Sequence, residues 1–226
     1  MQRVLVLSAH LDDAVLSAGE FIAAHPGATV ATVFAGVPEP GVRGWYDRQT
    51  ETADGHAAMT LRRAEDAAAL AVLDASALHL DLFDRQYRCR ASDDGLAALL
   101  RDVLGAHRPD VVVGPVGLLH PDHRQLARVW PAVARERPGT AALAYEDLPY
   151  RLSFAETAGR VRQFAAAHGA VAEAPGARNT DRKAAAIAAY ASQLPLVYPD
   201  QCLVPERLWR LWRLLATEQR AASVTP

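Results

Sequence analysis

Short runs rich in β-branched residues alternate along this chain with longer stretches of helical period, and that alternation most constrains its fold. Arg3-Val-Leu-Val-Leu-Ser8 and Ala28-Thr-Val-Ala-Thr-Val-Phe34 are compact apolar runs of the kind that form strands buried on both faces. Ala14 to Ala24 between them has helical spacing. The pattern returns with a helix from Leu61 to Leu73 before a strand at Ala77–Leu82, and a helix from Asp94 to His107 before a strand at Asp110–Gly114. A further helix from Pro121 to about Arg137 precedes a fifth strand at Ala141–Tyr145. Strand, helix, strand in succession implies right-handed crossovers and a mainly parallel sheet. The expected class is α/β, a Rossmann-like three-layer αβα arrangement, with one domain over residues 1–226.

After residue 150 the pattern weakens. Asp181–Gln193 and Pro205–Gln219 read as helices, whereas Phe154–Gly176 has no clean period. Leu208, Leu211, Trp212 and Leu215 recur at helical spacing, which suits packing or a subunit contact in a homo-oligomer. Val37–Gly55, containing Arg43-Gly-Trp-Tyr-Asp-Arg48, reads as a long loop, and loops of that length commonly serve a function.

Composition removes several classes of function. Lys and Arg total 24 against 26 acids, and no basic run appears, so the electrostatic footprint of a nucleic-acid binder is missing. The 46 alanines, 23 arginines and single lysine reflect coding bias, so the arginine count argues for nothing. Cys89 and Cys202 form no CxxC and no disulfide framework, so a metal must be held by histidine and carboxylate. The first residues show no signal-peptide pattern, and no apolar run nears the roughly 20 residues needed to span a bilayer. The expectation is a soluble cytoplasmic protein with no membrane insertion.

Two segments carry chemistry. Ser8-Ala-His-Leu-Asp-Asp13 falls where the first strand should end and its helix begin, the edge at which open α/β sheets bind ligands. His10 and Asp13 stand three apart and can converge in a first helical turn; Asp12 or Asp13 equally suits a helix cap. Gly114-Pro-Val-Gly-Leu-Leu-His-Pro-Asp-His123 follows the fourth strand, with two histidines three apart. Two such segments on one sheet edge point to a metal. His10, Asp13 and one of His120 or His123 would supply the three protein ligands of a catalytic zinc site. Asp12 and the remaining histidine then serve as proton acceptor and as oxyanion donor or acid, the complement that metal-assisted amide hydrolysis needs.

These residues resemble the PIG-L, or LmbE-like, zinc-dependent N-deacetylases. The family's Ala-His-Pro-Asp-Asp segment reads Ala9-His-Leu-Asp-Asp13 here, and its His-x-Asp-His segment reads His120-Pro-Asp-His123. Arg62-Arg-Ala-Glu65 resembles the family's Arg-x-x-Glu helix, and Lys183–Gln193 its Lys…Tyr…Ser-Gln helix, so the likeness spans roughly residues 1 to 195. It implies that His10, Asp13 and His123 bind zinc, with ferrous iron an alternative ion, and that Asp12 is the general base. His120 becomes the oxyanion donor or acid, with Asp122 orienting it, and Arg62 lies near the sugar. Leu11 replaces the family's usual proline, and Asp84 falls near a substrate-binding aspartate of some members. The implied substrates are small molecules carrying N-acetylglucosamine: glycoconjugates, thiol pseudodisaccharides or antibiotic-type natural products.

Around that site Trp45 and Tyr46 offer stacking faces, and Arg43 and Arg48 a grip on an acidic aglycone; pinning the loop is their other reading. Glu146, Asp147 and Tyr150 can reach the rim or sit in a solvated loop. The same donors spell the facial triad of non-haem iron oxygenases, although those usually occupy β-barrels. A binding module whose motifs only cap helices is the third possibility, and it predicts no bound metal.

Overall fold

The computed structural model describes residues 2–49, 52–87, 92–153, 156–174, 176, 178–196 and 199–212. Strands β1 (Val4–Ser8), β2 (Thr29–Thr32), β3 (Ser76–His79), β4 (Val111–Pro115) and β5 (Ala141–Tyr145) lie at the β-branched and apolar runs. Helices α1 (Asp13–Ala23), α2 (Gly55–Val72), α3 (Asp93–His107) and α4 (Pro121–Arg135) connect them in turn. The strands pair in parallel in the order β3-β2-β1-β4-β5. Beyond β5 come α5 (Tyr150–Ser153), α6 (Thr157–His168), β6 (Val171–Ala172), α7 (Thr180–Ile187), α8 (Pro199–Cys202) and β7 (Leu208–Trp212). β7 runs antiparallel between β5 and β6 and completes a seven-stranded sheet.

Both faces of the sheet are covered, which is why its strands read as unbroken apolar runs. Val4 and Val6 of β1, with Val111 and Val113 of β4, pack among residues of α1, α2 and α7. Leu5, Leu7 and Val112 point the other way, into side chains of α3, α4 and α6. This is the expected three-layer αβα class.

β2 and β3 are shorter than expected, ending at Thr32 and His79 rather than Phe34 and Leu82, and three further boundaries differ. α2 starts at Gly55 rather than Leu61, because the Asp54 carboxylate caps it, accepting the Ala57 N–H at 2.9 Å. α7 ends at Ile187 rather than Gln193: Glu65 accepts both the Ser192 N–H (2.7 Å) and its hydroxyl (2.6 Å), and this draws the chain off the helical path. The predicted helix Pro205–Gln219 is corrected outright over Leu208–Trp212, which is strand; residues 213–219, with Leu215, lie outside the described residues. The run Leu-Trp-Arg-Leu-Trp has helical apolar spacing, but a free ladder edge on β5 and high aromatic β-propensity win. Trp209 Nε1 donates to Glu146 (2.9 Å) and Trp212 Nε1 to the Thr140 carbonyl (2.8 Å), pinning the strand. The packing role expected of Leu208, Leu211 and Trp212 survives the change of element.

Helix α1 is interrupted at Ala18 (φ −138°, ψ 23°), and the Glu206 carboxylate accepts the N–H groups of Glu20 (2.7 Å) and Phe21 (3.0 Å). Lys183, fully buried, donates to the same carboxylate at 2.8 Å. Glu206→Ala would leave a buried ammonium unpaired and should cost about 3–5 kcal/mol in urea unfolding. Glu206→Gln, which keeps an acceptor for the helix N–H groups, should cost less.

The strand order places the functional edge. From β1 the chain winds outward through β2 and β3, then returns to lay β4 on the other side of β1. The loops after β1 and β4 therefore diverge, and a crevice opens between them at the carboxyl ends of the strands.

Candidate active site

Ser8 shapes the turn after β1. Its Oγ donates to the His10 carbonyl (2.7 Å) and accepts the Ala14 N–H (3.1 Å), relieving one of the unpaired donors at the start of α1. Asp12 occupies the N-cap position, yet its side chain makes no capping bond, and Asp13 turns back to accept the His10 N–H at 2.7 Å. The capping alternative for these aspartates is thereby overturned. Asp12 has φ 148°, a conformation that costs a non-glycine residue free energy and is held by its surroundings. Leu11, where the family carries proline, is fully buried against Ala35 and Met59, so packing anchors the turn.

The β4–α4 loop is set by glycine. A Cβ on Gly114 would lie 2.6 Å from the Trp130 indole, and Gly117 combines φ +80° with a Cβ position 2.5 Å from Ala127 Cβ. The loop can thus lie flat on α4. His120 caps that helix, its Nδ1 accepting the Asp122 N–H at 3.2 Å, and Pro121 takes the first turn.

The two segments meet across β1 and β4. Asp13 Oδ2 lies 2.9 Å from His123 Nε2 and 3.4 Å from His10 Nδ1, and those two nitrogens are 3.2 Å apart. Ligand bonds of about 2.0–2.1 Å in tetrahedral geometry place donors roughly 3.3 Å apart, so the spacing of the triangle fits a zinc-sized ion. His120, His10 and His123 also each bring a ring nitrogen within 4.8 Å of the others.

Each histidine of the triangle has a carboxylate behind it. His10 Nε2 is 3.3 Å from Asp122 Oδ2, an oxygen that also accepts the Arg85 N–H at 3.0 Å. His123 Nδ1 is 2.6 Å from Asp147 Oδ1. The carboxylate of Asp122, expected to orient His120, thus bonds His10, while its backbone N–H bonds His120. Asp147, expected either to reach the rim or to sit in a solvated loop, reaches the centre of the site, although its bond to His123 could not be read from spacing. Its position just past β5, the neighbour of β4, was the available signal.

Asp12 stays outside the triangle, 3.8 Å from the Arg62 guanidinium. Burial and then Asp13 push its pKa up to about 7, with Arg62 and His10 opposing. Burial, then His10 and His123, lower His120 to about 4. Burial opposes charge on His123, but Asp13 and Asp147 outweigh it and raise its pKa well above the ordinary value. The pocket over these groups is lined also by Leu16, Trp45, Tyr46, Arg62, Asp84, Leu148, Pro149 and Tyr150. Asp84 Oδ2 stands 4.0 Å from His10 Nε2.

The two weaker motifs support one another beneath this pocket. Besides Glu65 with Ser192, Asp66 of α2 accepts from the Tyr190 hydroxyl at 2.7 Å and pairs with His79 at 2.8 Å. Gln193 accepts from the Tyr46 hydroxyl at 3.2 Å, and Arg62 lies 5.9 Å from the centroid of the Tyr46 ring. The Val37–Gly55 loop is held by buried Asp47, which accepts from the Gly44 N–H (2.7 Å) and the Tyr87 hydroxyl (2.6 Å). Arg43 turns onto its own loop, to the Thr52 carbonyl at 3.5 Å, and Glu146 is taken up by Trp209. Cys202 is buried, and burial pushes its thiol up to about 11, as suits an ordinary thiol; Cys89 lies outside the described residues. His25, His56, His79 and His168 have local packing or hydrogen-bonding partners away from the triangle.

A histidine and carboxylate triangle at the switch point of a Rossmann-like sheet, with the Asp12 carboxylate beside it and outside it, is the arrangement of a metal-dependent hydrolase. Comparison with known proteins narrows the class. Residues 5–134 match the PIG-L family, described as GlcNAc-PI de-N-acetylase, and the chain belongs to that family. It is an N-deacetylase. Among solved structures, the A40926 pseudoaglycone deacetylase Dbv21 is 27% identical with a TM-score of 0.73, covering 95% of this chain and 99% of its own. A triple mutant of a deacetylase in the teicoplanin biosynthetic pathway is 25% identical, with a TM-score of 0.77 and coverage of 92% and 97%. The 4-carboxy-2-hydroxymuconate hydratase GalB of Pseudomonas putida shares the fold at 20% identity and a TM-score of 0.61, with coverage of 93% and 95%. Since its chemistry is hydration, the fold does not choose the reaction; the site does. No curated protein matches the chain. Among the described residues no helix is long and apolar enough to cross a membrane.

Proposed function

We propose that the protein is a zinc-dependent hydrolase that removes the N-acetyl group from a small molecule bearing N-acetylglucosamine, with residues 1–226 acting as one domain. The observation that carries this is the triangle of His10 Nδ1, Asp13 Oδ2 and His123 Nε2, with Asp12 beside it and outside it. The family's own description names an N-acetylglucosaminyl substrate, and the antibiotic deacetylases among its structural relatives favour an antibiotic-type aglycone. Two nitrogens and one oxygen suit zinc and ferrous iron alike, and it is the α/β fold and the deacetylase family that speak against the oxygenase alternative.

His10, Asp13 and His123 would hold the ion, which when bound supplies Lewis acidity for the acetamide carbonyl and lowers the pKa of a water. Asp12 takes the proton of that attacking water, a role open to it because none of the triangle's bonds uses its carboxylate. His120 accepts the Asp122 N–H on Nδ1, so its neutral ring carries the proton on Nε2. That N–H hydrogen-bonds the oxyanion, and the proton Asp12 has taken from the water passes to the leaving amine. Arg62, pressed against Asp12 and buried, contacts the sugar, with Asp84 and Tyr46 completing the wall.

The test is amine release across a panel of N-acetylglucosaminyl compounds, with and without a chelator. Release that persists after full metal removal overturns the metal role. Trp45 is 60% exposed at the pocket mouth and stacks on the aglycone in this reading. Trp45→Ala should raise KM about 5- to 10-fold for an aryl glycoside, the worth of about 1 kcal/mol of aromatic contact, with kcat little changed. An unchanged KM removes Trp45 from the substrate site.

A further inference from the structure

Asp147 is a fully buried acid at the site to which the proposed reaction assigns no step. Its side chain is 1% exposed and faces His123, which is 0% exposed. Oδ1 lies 2.6 Å from His123 Nδ1, and Oδ2 accepts the N–H groups of Gly117 at 2.9 Å and Leu118 at 3.2 Å. Both oxygens are therefore committed, one to a ring nitrogen and one to the loop that presents His120 and His123.

We infer that Asp147 is a positioning residue for the metal centre: it fixes the tautomer and rotation of His123 and ties both to the β4–α4 loop. The inference rests on His123 being a metal ligand. An imidazole can offer a lone pair at only one nitrogen while the other carries the proton, and a carboxylate accepts but does not donate. With the Asp147 carboxylate accepting at Nδ1, a proton is held there, so Nε2, the nitrogen 2.9 Å from Asp13, is the one that gives up its proton and ligates when a metal binds. The backbone bonds at Oδ2 prevent the carboxylate from rotating away. Asp147 also connects the end of β5 to the end of β4, so the ligand's orientation is set by the sheet and not by a free side chain.

Asp147→Asn separates this role from simple packing. The amide oxygen can keep the Gly117 and Leu118 N–H groups, which turns the NH2 toward His123 Nδ1. That donor forces the imidazole proton onto Nε2, the ligating atom, in a side chain of almost unchanged shape. Zinc affinity, measured by competition with a chromogenic chelator, should fall 10- to 100-fold, while the circular dichroism of the metal-free variant stays that of the folded wild type. In a His123→Ala background Asp147→Asn should cause no further loss.

An Asp147→Asn protein that folds and binds zinc as tightly as wild type overturns the inference, as does an undiminished effect in the His123→Ala background. A measurement without variants stands beside these. The imidazole 15N shifts of His123 in zinc-loaded wild type should show a protonated Nδ1 and a bare Nε2, and the opposite tautomer overturns the assignment. If wild type binds no divalent ion at all, the deacetylase reading falls and takes this inference with it; tight binding in both proteins removes only Asp147.

Discussion

Asp12→Ala should keep its full complement of metal and lose roughly 10²- to 10⁴-fold in kcat, the usual contribution of a placed general base. The geometry makes the two halves of that result separable. The three donors of the triangle are bound to one another and to Asp122 and Asp147, and none of those bonds uses the Asp12 carboxylate. Truncating it removes no ligand. It does remove the carboxylate at the end of the strained turn where, with φ 148°, the chain aims a side chain into the pocket instead of capping α1. Asp12→Asn keeps size and polarity but cannot take a proton, so it should be as inactive as the alanine variant. An Asp12→Ala protein with wild-type turnover would remove Asp12 as base, and one that lost its metal would make it a ligand instead. Arg62, 3.8 Å from Asp12, gives a subsidiary check. Arg62→Lys keeps the charge, so it should impair KM more than the pH profile.

The parts of the site that could be read from the sequence are those built from residues close in the chain. His10 with Asp13, and His120 with His123, each lie within one turn after a strand, so spacing alone brought them to one edge. That the two edges adjoin follows from β1 and β4 being neighbours, a consequence of the βαβ winding that alternation predicts. Asp147 and the true partner of the Asp122 carboxylate depend on contacts between segments with no shared period. So does the linkage of Tyr46, Arg62, Glu65, Ser192 and Gln193, whose members come from a loop, a helix and a turn. The fold was legible in the same degree: β1, β2 and β4 announce themselves by buried β-branched runs and β3 and β5 by short apolar runs after helices, whereas β7 does not. Leu208, Leu211 and Trp212 fit a helix as well as a strand, and only the unpaired edge of β5 decides between them. Alanine-rich segments gave no stop signal for α7, whose end is set by Glu65 capturing Ser192.

His120 and His123 stood as equal candidates for the third ligand in the sequence, and the structure gives them different surroundings that alanine substitution can read. His123 is wholly buried between two carboxylates, with Nε2 2.9 Å from Asp13 and Nδ1 2.6 Å from Asp147. Its ring has no freedom to serve a changing substrate. His123→Ala should therefore lose the metal, with zinc affinity down by two or more orders of magnitude, and activity should vanish with it. His120 is partly exposed, caps α4 through Nδ1, and turns its other nitrogen to the pocket. His120→Ala should retain zinc at wild-type stoichiometry while kcat falls roughly 10²- to 10³-fold, the range seen when one oxyanion donor is removed. Loss of the cap should cost about 1 kcal/mol of stability in addition, a change visible in the melting curve and too small to account for the rate. Elemental analysis of the two purified variants decides the assignment before any kinetics. Should His120→Ala come out metal-free and His123→Ala loaded, the two histidines exchange roles, and the buried His123 would have to be explained by structure alone.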